Sequence, residues 1–134
     1  MIVVDASAII AILTGESESA LLVAALDHAG GAITTPIAVY EATLGLRRKR
    51  RSPVAQAERA IMEFLSDARI KVEPMDPIAA HLALEAFDRY GKGNQSPAQL
   101  NLGDCFAYAQ AKLSGAALLF KGDDFSKMDI ERAS

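Results

Sequence analysis

A chain of 134 residues, 51% of them apolar and 23% charged, can bury a core as one domain over residues 1–134, with no length left for a second. Its net charge of −3 argues against a surface that is basic all over, although five of its 14 Lys and Arg residues stand together as Arg47, Arg48, Lys49, Arg50 and Arg51. One cysteine, Cys105, excludes an internal disulfide. With no signal-peptide pattern and no apolar run near the ~18 residues a membrane span needs, the expectation is a cytoplasmic protein.

The first predicted element is a buried strand over residues 2–4, a β-branched run that ends at Asp5. Ser7 can cap a short helix through Ile9, Ile10 and Leu13 that stops at Gly15, and residues 16–29 read as a second helix closed by Gly30 and Gly31. A second strand follows at 32–34. Thr35-Pro36 is a strong helix start, with threonine at the cap and proline at the first helical position, and the helix runs on into the basic block. Ser52-Pro53 opens a further helix with Ala57, Ile61, Phe64 and Leu65 on one face. Residues 70–73 alternate as a partly exposed strand, and Asp76-Pro77 starts a helix through Ile78, Leu82, Leu84 and Phe87 that ends at Gly91. Residues 91–101 form a polar loop. Asn101 can cap the next helix, which carries Phe106, Tyr108 and Leu113 and ends at Gly115, and residues 116–120 form the last strand. Strands alternating with helices predict an α/β fold with a mainly parallel central sheet, in which ligands gather beyond the carboxyl ends of the strands.

Four acids fall where apolar runs end or helices begin: Asp5 in IVVDAS, Glu41 in IAVYEA, Asp104 in LNLGDCF, and Asp124, beside Asp123, in LLFKGDDF. A carboxylate at the mouth of a buried element loses hydration unless a cation accompanies it, and residues 1–46 contain no Lys or Arg. A hard divalent ion such as Mg²⁺ or Mn²⁺, which prefers oxygen ligands, would resolve the conflict. Ser7, two residues beyond the first acid, adds a hydroxyl that can steer water. Such a set, with positions left open, suits phosphodiester hydrolysis. Plainer readings stand beside it. Asp104 suits the first turn of a capped helix, Glu41 a solvated helix face, and Asp123-Asp124 a turn after Gly122. Asp5 resists such a reading, because acids are depleted in strands and costly at buried ends.

These four segments, IVVDASAII, PIAVYEA, LNLGDCFAYAQAK and LLFKGDDFSKMDI, resemble in order the signature regions of PIN-domain ribonucleases of the VapC toxin type. The resemblance covers residues 2 to about 130 and implies a PIN-like α/β/α sandwich. It also implies a Mg²⁺- or Mn²⁺-dependent endoribonuclease that acts on RNA, forms a homodimer, and is inhibited by a VapB-type antitoxin. By it, Asp5 and Asp104 match the acids that bind metal most directly, and Glu41 one that binds metal or orients the attacking water. Asp124 matches the fourth acid better than Asp123, which could share the work, and Ser7 matches a small hydroxyl residue beside the first acid. In-line hydrolysis leaving 5′-phosphate and 3′-hydroxyl ends is implied, which needs no histidine pair. The chain departs from the pattern at Met128, where members commonly carry threonine just before the residue equivalent to Asp129.

The basic block, 47–51, is expected either to bind RNA phosphates or to complement a helix terminus. Leu22, Val23, Tyr40 and Leu44 could line a groove for an antitoxin helix or dimer face, or belong to an ordinary core. Two rivals remain: a Mg²⁺-dependent phosphoryl-handling domain and a PIN-fold binding module without ribonuclease activity. The first lacks a phospho-accepting aspartate on a middle strand and has Ser7 where a dehalogenase-like phosphatase needs its second aspartate. The second sits poorly with four acids present.

Overall fold

The β-branched opening run forms β1 (Ile2–Val4), an inner strand of a sheet completed by β2 (Ala32–Thr34), β3 (Ile70–Val72) and β4 (Ala117–Leu119). In the computed structural model, which describes residues 1–96, 98–122 and 129–133, the strand order is β3-β2-β1-β4 and every pairing is parallel. Val3 lies opposite Ile33 on one side and Leu118 on the other.

Alternation along the strands divides the apolar residues between two cores. Ile2, Val4, Ile70 and Leu119 pack beneath α1 (Ala6–Leu13), α2 (Ser19–His28), α3 (Pro36–Arg50) and α4 (Val54–Asp67). Val3, Ile33 and Leu118 face α5 (Pro77–Tyr90) and α6 (Leu102–Ser114). The result is the three-layer α/β/α arrangement with a parallel sheet that the sequence predicts. No helix among the described residues is long and apolar enough to cross a membrane.

Most helix starts follow their caps. The Thr35 hydroxyl accepts from the Ala38 N–H at 2.9 Å, with Pro36 in the first turn, and the Asp76 carboxylate accepts from the Ile78 and Ala79 amides. At α1 the cap differs from expectation. Asp5, rather than Ser7, is the N-cap, its carboxylate accepting from the Ser7 N–H at 3.0 Å. A second difference concerns α5, whose buried face is Ala79, Ala83 and Ala86 rather than the larger residues. Ile78, Leu84 and Phe87 are exposed. The reason is the close packing of α5 on an equally small-residued α6 (buried Ala107, Ala109 and Ala111), which leaves no room for bulk at the contact. The loop at 91–101 is tied down at both ends: the Leu100 N–H donates to the Tyr90 carbonyl and the Lys92 N–H to the Leu100 carbonyl, each at 2.8 Å. Leu100 is fully buried, and this fixes the position of Asn101 and the start of α6.

Candidate active site

Three carboxylates reach the carboxyl edge of the sheet from three different elements. Asp5 leaves the end of β1, buried to 4% exposure; its Oδ2 accepts from both the Ser7 N–H and the Ser7 hydroxyl, the latter at 2.6 Å. The same Ser7 Oγ accepts from the Lys121 N–H at 3.0 Å, so one hydroxyl ties Asp5 to the chain leaving β4.

Asp104 sits in the first turn of α6 in a capping box. Its amide donates to Asn101 Oδ1 at 2.9 Å, while its Oδ2 accepts from the Asn101 N–H at 3.1 Å. The box fixes the side-chain rotamer of a buried acid. Thus the plain role foreseen for Asp104 and a place in the site are both realised by one residue.

Glu41, half-buried on α3, is brought in by an absence. Gly103 lies against its carboxylate, and a Cβ at position 103 would overlap it. Glycine in the first turn of a helix is a poor helix former, so its presence in LGD was the one sequence signal for this close approach. The carboxyl of Glu41 is pushed above its ordinary pKa first by burial and then by the negative charge of Asp5. Glu41 is therefore not on a plain solvated face.

Asp5, Glu41 and Asp104 line one cleft of about 560 Å³, together with Ser7 and Asn101. Its outer wall, along α3, is made of Tyr40, Leu44, Arg48 and Lys49. The expected fourth acid, Asp124 or Asp123, lies outside the described residues. Among the described residues, no three His, Cys, Asp or Glu side chains are drawn together tightly enough to hold an ion by themselves. The donors that line the cleft are nevertheless all oxygen, and Glu41 is crowded by a like charge, a setting that fits a hard divalent cation and not a soft one.

The basic block is divided by the fold. Arg48 and Lys49 face the cleft. Lys49 Nζ stands 3.5 Å from Glu16 Oε1, and Glu16 also pairs with Lys121, whose ammonium holds the Glu16 carboxyl below its usual range. Arg50 instead donates to the Leu13 carbonyl at 2.9 Å, closing the end of α1, and Arg51 is the left-handed cap of α3 with φ 49°. Of the possible groove residues, Leu22 is core, Val23 and Tyr40 are exposed, and Leu44 is half-buried on the cleft wall. Cys105 is buried, its thiol pushed up to about 11 by burial and by Asp104, which suits a packing residue. Both histidines lie elsewhere: His28 against the Ala24 carbonyl on α2, and His81 beside Glu85 on α5.

The comparisons with known proteins identify the family. The PIN-domain family matches residues 2–131. Ribonuclease VapC42 of Mycobacterium tuberculosis is 38% identical over 131 residues, 98% of each chain. The chain belongs to the PIN-domain family of VapC ribonucleases. A VapC ribonuclease of Rhizobium meliloti is also 38% identical, over 138 residues that cover 95% of this PIN domain and 97% of the relative. Among solved structures, Mycobacterium tuberculosis VapC20, a sarcin–ricin loop cleaving toxin, aligns with a TM-score of 0.76 at 18% identity, covering 97% of this PIN domain and 96% of the other chain. A toxin–antitoxin complex from Klebsiella pneumoniae aligns at 0.71 and 17%, covering 96% and 93%. At these identities the two structures speak for the fold alone.

Proposed function

We propose that this chain is the toxin of a type II toxin–antitoxin pair, a cytoplasmic endoribonuclease that hydrolyses RNA phosphodiester bonds with Mg²⁺ or Mn²⁺ as cofactor. The observation that carries the reading is the convergence of Asp5, Glu41 and Asp104 from three elements on one cleft. Membership of the VapC ribonucleases supports RNA as the substrate class and an antitoxin as partner.

A divalent ion would be held by Asp5, Asp104 and Glu41 with Asp124 or Asp123, and when bound it would supply Lewis acidity toward the phosphate and a more acidic water. The chain's own groups do the rest. Ser7 holds Asp5 by donating its only proton to Oδ2; after accepting from Lys121 it keeps one lone pair with which to orient a water. Asn101 holds Asp104 through the capping box. Glu41, set against Gly103 at the cleft, is placed to share the ion or to orient the attacking water. Arg48 and Lys49 provide phosphate contacts at the outer wall, whereas Arg47, Arg50 and Arg51 contribute only at longer range.

A homodimer belongs to the same reading. The α5–α6 face carries an apolar groove of about 420 Å³ that includes exposed Leu84, Phe87 and Leu102, more apolar surface than a lone monomer needs. The test is cleavage of total RNA by purified protein, with end mapping. Cuts bearing 5′-phosphates, abolished by chelator and restored by Mg²⁺ or Mn²⁺, are expected. Cleavage that persists in excess chelator would overturn the metal assignment.

A further inference from the structure

The acid cluster accounts for the inner half of the cleft and leaves its α3 wall unexplained. Tyr40, Leu44 and Arg48 lie at i, i+4 and i+8, one stripe of the helix, so all three face the same way. Tyr40 is the outlier in chemistry. It is a large aromatic residue left 65% exposed, immediately beside Glu41, while smaller residues of the same helix (Ala38, Ala42, Thr43 and Leu46) are buried. Among the described residues its hydroxyl makes no hydrogen bond and its ring stacks on no other, so the fold makes little use of it.

A ring exposed on the wall of a cleft that holds three carboxylates offers what a single-stranded nucleic acid can use. Every nucleobase has a π-face, and grooves that follow such strands pair aromatic platforms with cations placed for the backbone. Here the cations are on the same wall. Arg48 lies about 12 Å from Tyr40 along the helix axis, eight residues at the α-helical rise, with Lys49, 3.5 Å from Glu16, beside it.

We infer that Tyr40 is a specificity-determining residue of the ribonuclease site: its ring stacks on an unpaired nucleobase next to the scissile phosphate at Glu41. Arg48 and Lys49 take a phosphate further along the strand, so the RNA runs lengthwise over α3. The inference rests on the ribonuclease reading above and adds to it a requirement on the substrate. The nucleotide at Tyr40 must be free of a duplex stack, and its identity matters less than its being unstacked.

The test uses a fluorescein-labelled single-stranded RNA spanning a cut mapped in total RNA, with binding measured in the Asp5→Asn background so that the RNA stays whole. Tyr40→Ala and Tyr40→Leu, the latter keeping apolar bulk without a π-face, are expected to weaken binding about ten- to a hundredfold. Tyr40→Phe and Tyr40→Trp are expected to retain it. In the cleaving protein the Ala and Leu changes raise KM and leave kcat nearly unchanged. Replacing one nucleotide by an abasic unit at the stacking position weakens binding to the Tyr40 protein and not to Tyr40→Leu. Equal affinity of the Tyr40 and Tyr40→Leu proteins, or equal sensitivity to the abasic unit, overturns the stacking role while cleavage stands. If the unsubstituted chain makes no cuts at all, the ribonuclease reading falls and the stacking role falls with it.

Discussion

Asp129 is exposed and Glu41 half-buried, and the fold treats the two carboxylates in opposite ways. Asp129 receives the Tyr108 hydroxyl at 2.5 Å, the Tyr90 hydroxyl at 3.2 Å and the Lys112 ammonium at 3.0 Å. These partners, Tyr108 foremost, hold its pKa down to about 2 against the raising effect of burial. Glu41 meets burial and the charge of Asp5, both of which push its pKa up. One helix takes part in both places: α6 carries Asp104 in its first turn, with Tyr108 and Lys112 four and eight residues on. Where a carboxylate only anchors the chain, this protein supplies the compensating donors itself. At the carboxyl edge of the sheet Glu41 meets a further acid instead, the setting for which a divalent cation is proposed above.

The sharpest way to break that contrast is Asp5→Asn. Asparagine caps a helix as well as aspartate and relieves the repulsion on Glu41. RNA cleavage should therefore fall by at least about 10²-fold while the melting temperature holds or rises. A loss of stability in step with activity would make Asp5 an ordinary structural acid. Gly103→Ala comes next: the new methyl overlaps the Glu41 carboxylate and must displace it. Activity should drop by about tenfold or more, the range of a displaced catalytic group. The stability change should stay within about 1 kcal/mol, because alanine's helix propensity offsets part of the strain. Unchanged activity would show that Glu41 need not sit there.

Asp129→Asn tests the other half of the contrast, with stability as the readout. Its folded pKa of about 2 lies below the ordinary aspartate value of 3.8, so its contribution is present above 3.8 and is lost as pH falls toward 2. Urea melts of the two proteins should differ by about 1 kcal/mol near neutral pH, a figure kept small by the exposure of the pair, and converge near pH 2. A difference that did not change with pH would remove the ionic part of the anchor. The smallest effect concerns the divided basic block. Arg48→Gln and Lys49→Gln should each reduce the slope of log affinity against log salt by about 0.7, whereas Arg50→Gln should leave the slope unchanged and slightly destabilise the end of α1. Equal slopes for all three would put the RNA elsewhere.

Much of this was legible in the residues themselves. The parallel sheet follows from short apolar strands separated by helices, and the starts of α3, α5 and α6 follow from Thr35-Pro36, Asp76-Pro77 and Asn101. What escaped the sequence depended on contacts across long separations. Leu84 and Phe87 look like core by periodicity, and only the tight α5–α6 contact turns them outward. The block at 47–51 reads as one feature because its division depends on Leu13, in another element. Tyr40 passes for part of an apolar stripe until the cleft beside it is seen. The Asp129 anchor could not be foreseen, since its donors come from two helices distant in the chain.

The double use of the Ser7 hydroxyl restricts what position 7 can tolerate. Its proton goes to Asp5 and its oxygen receives the Lys121 amide, so a substitute must give and accept at once within the space of a small side chain. Threonine satisfies that demand; alanine, valine and cysteine do not. The backbone leaving β4 and the first acid, joined through a serine 114 residues from Lys121, thereby share one interchangeable part with a vocabulary of two letters.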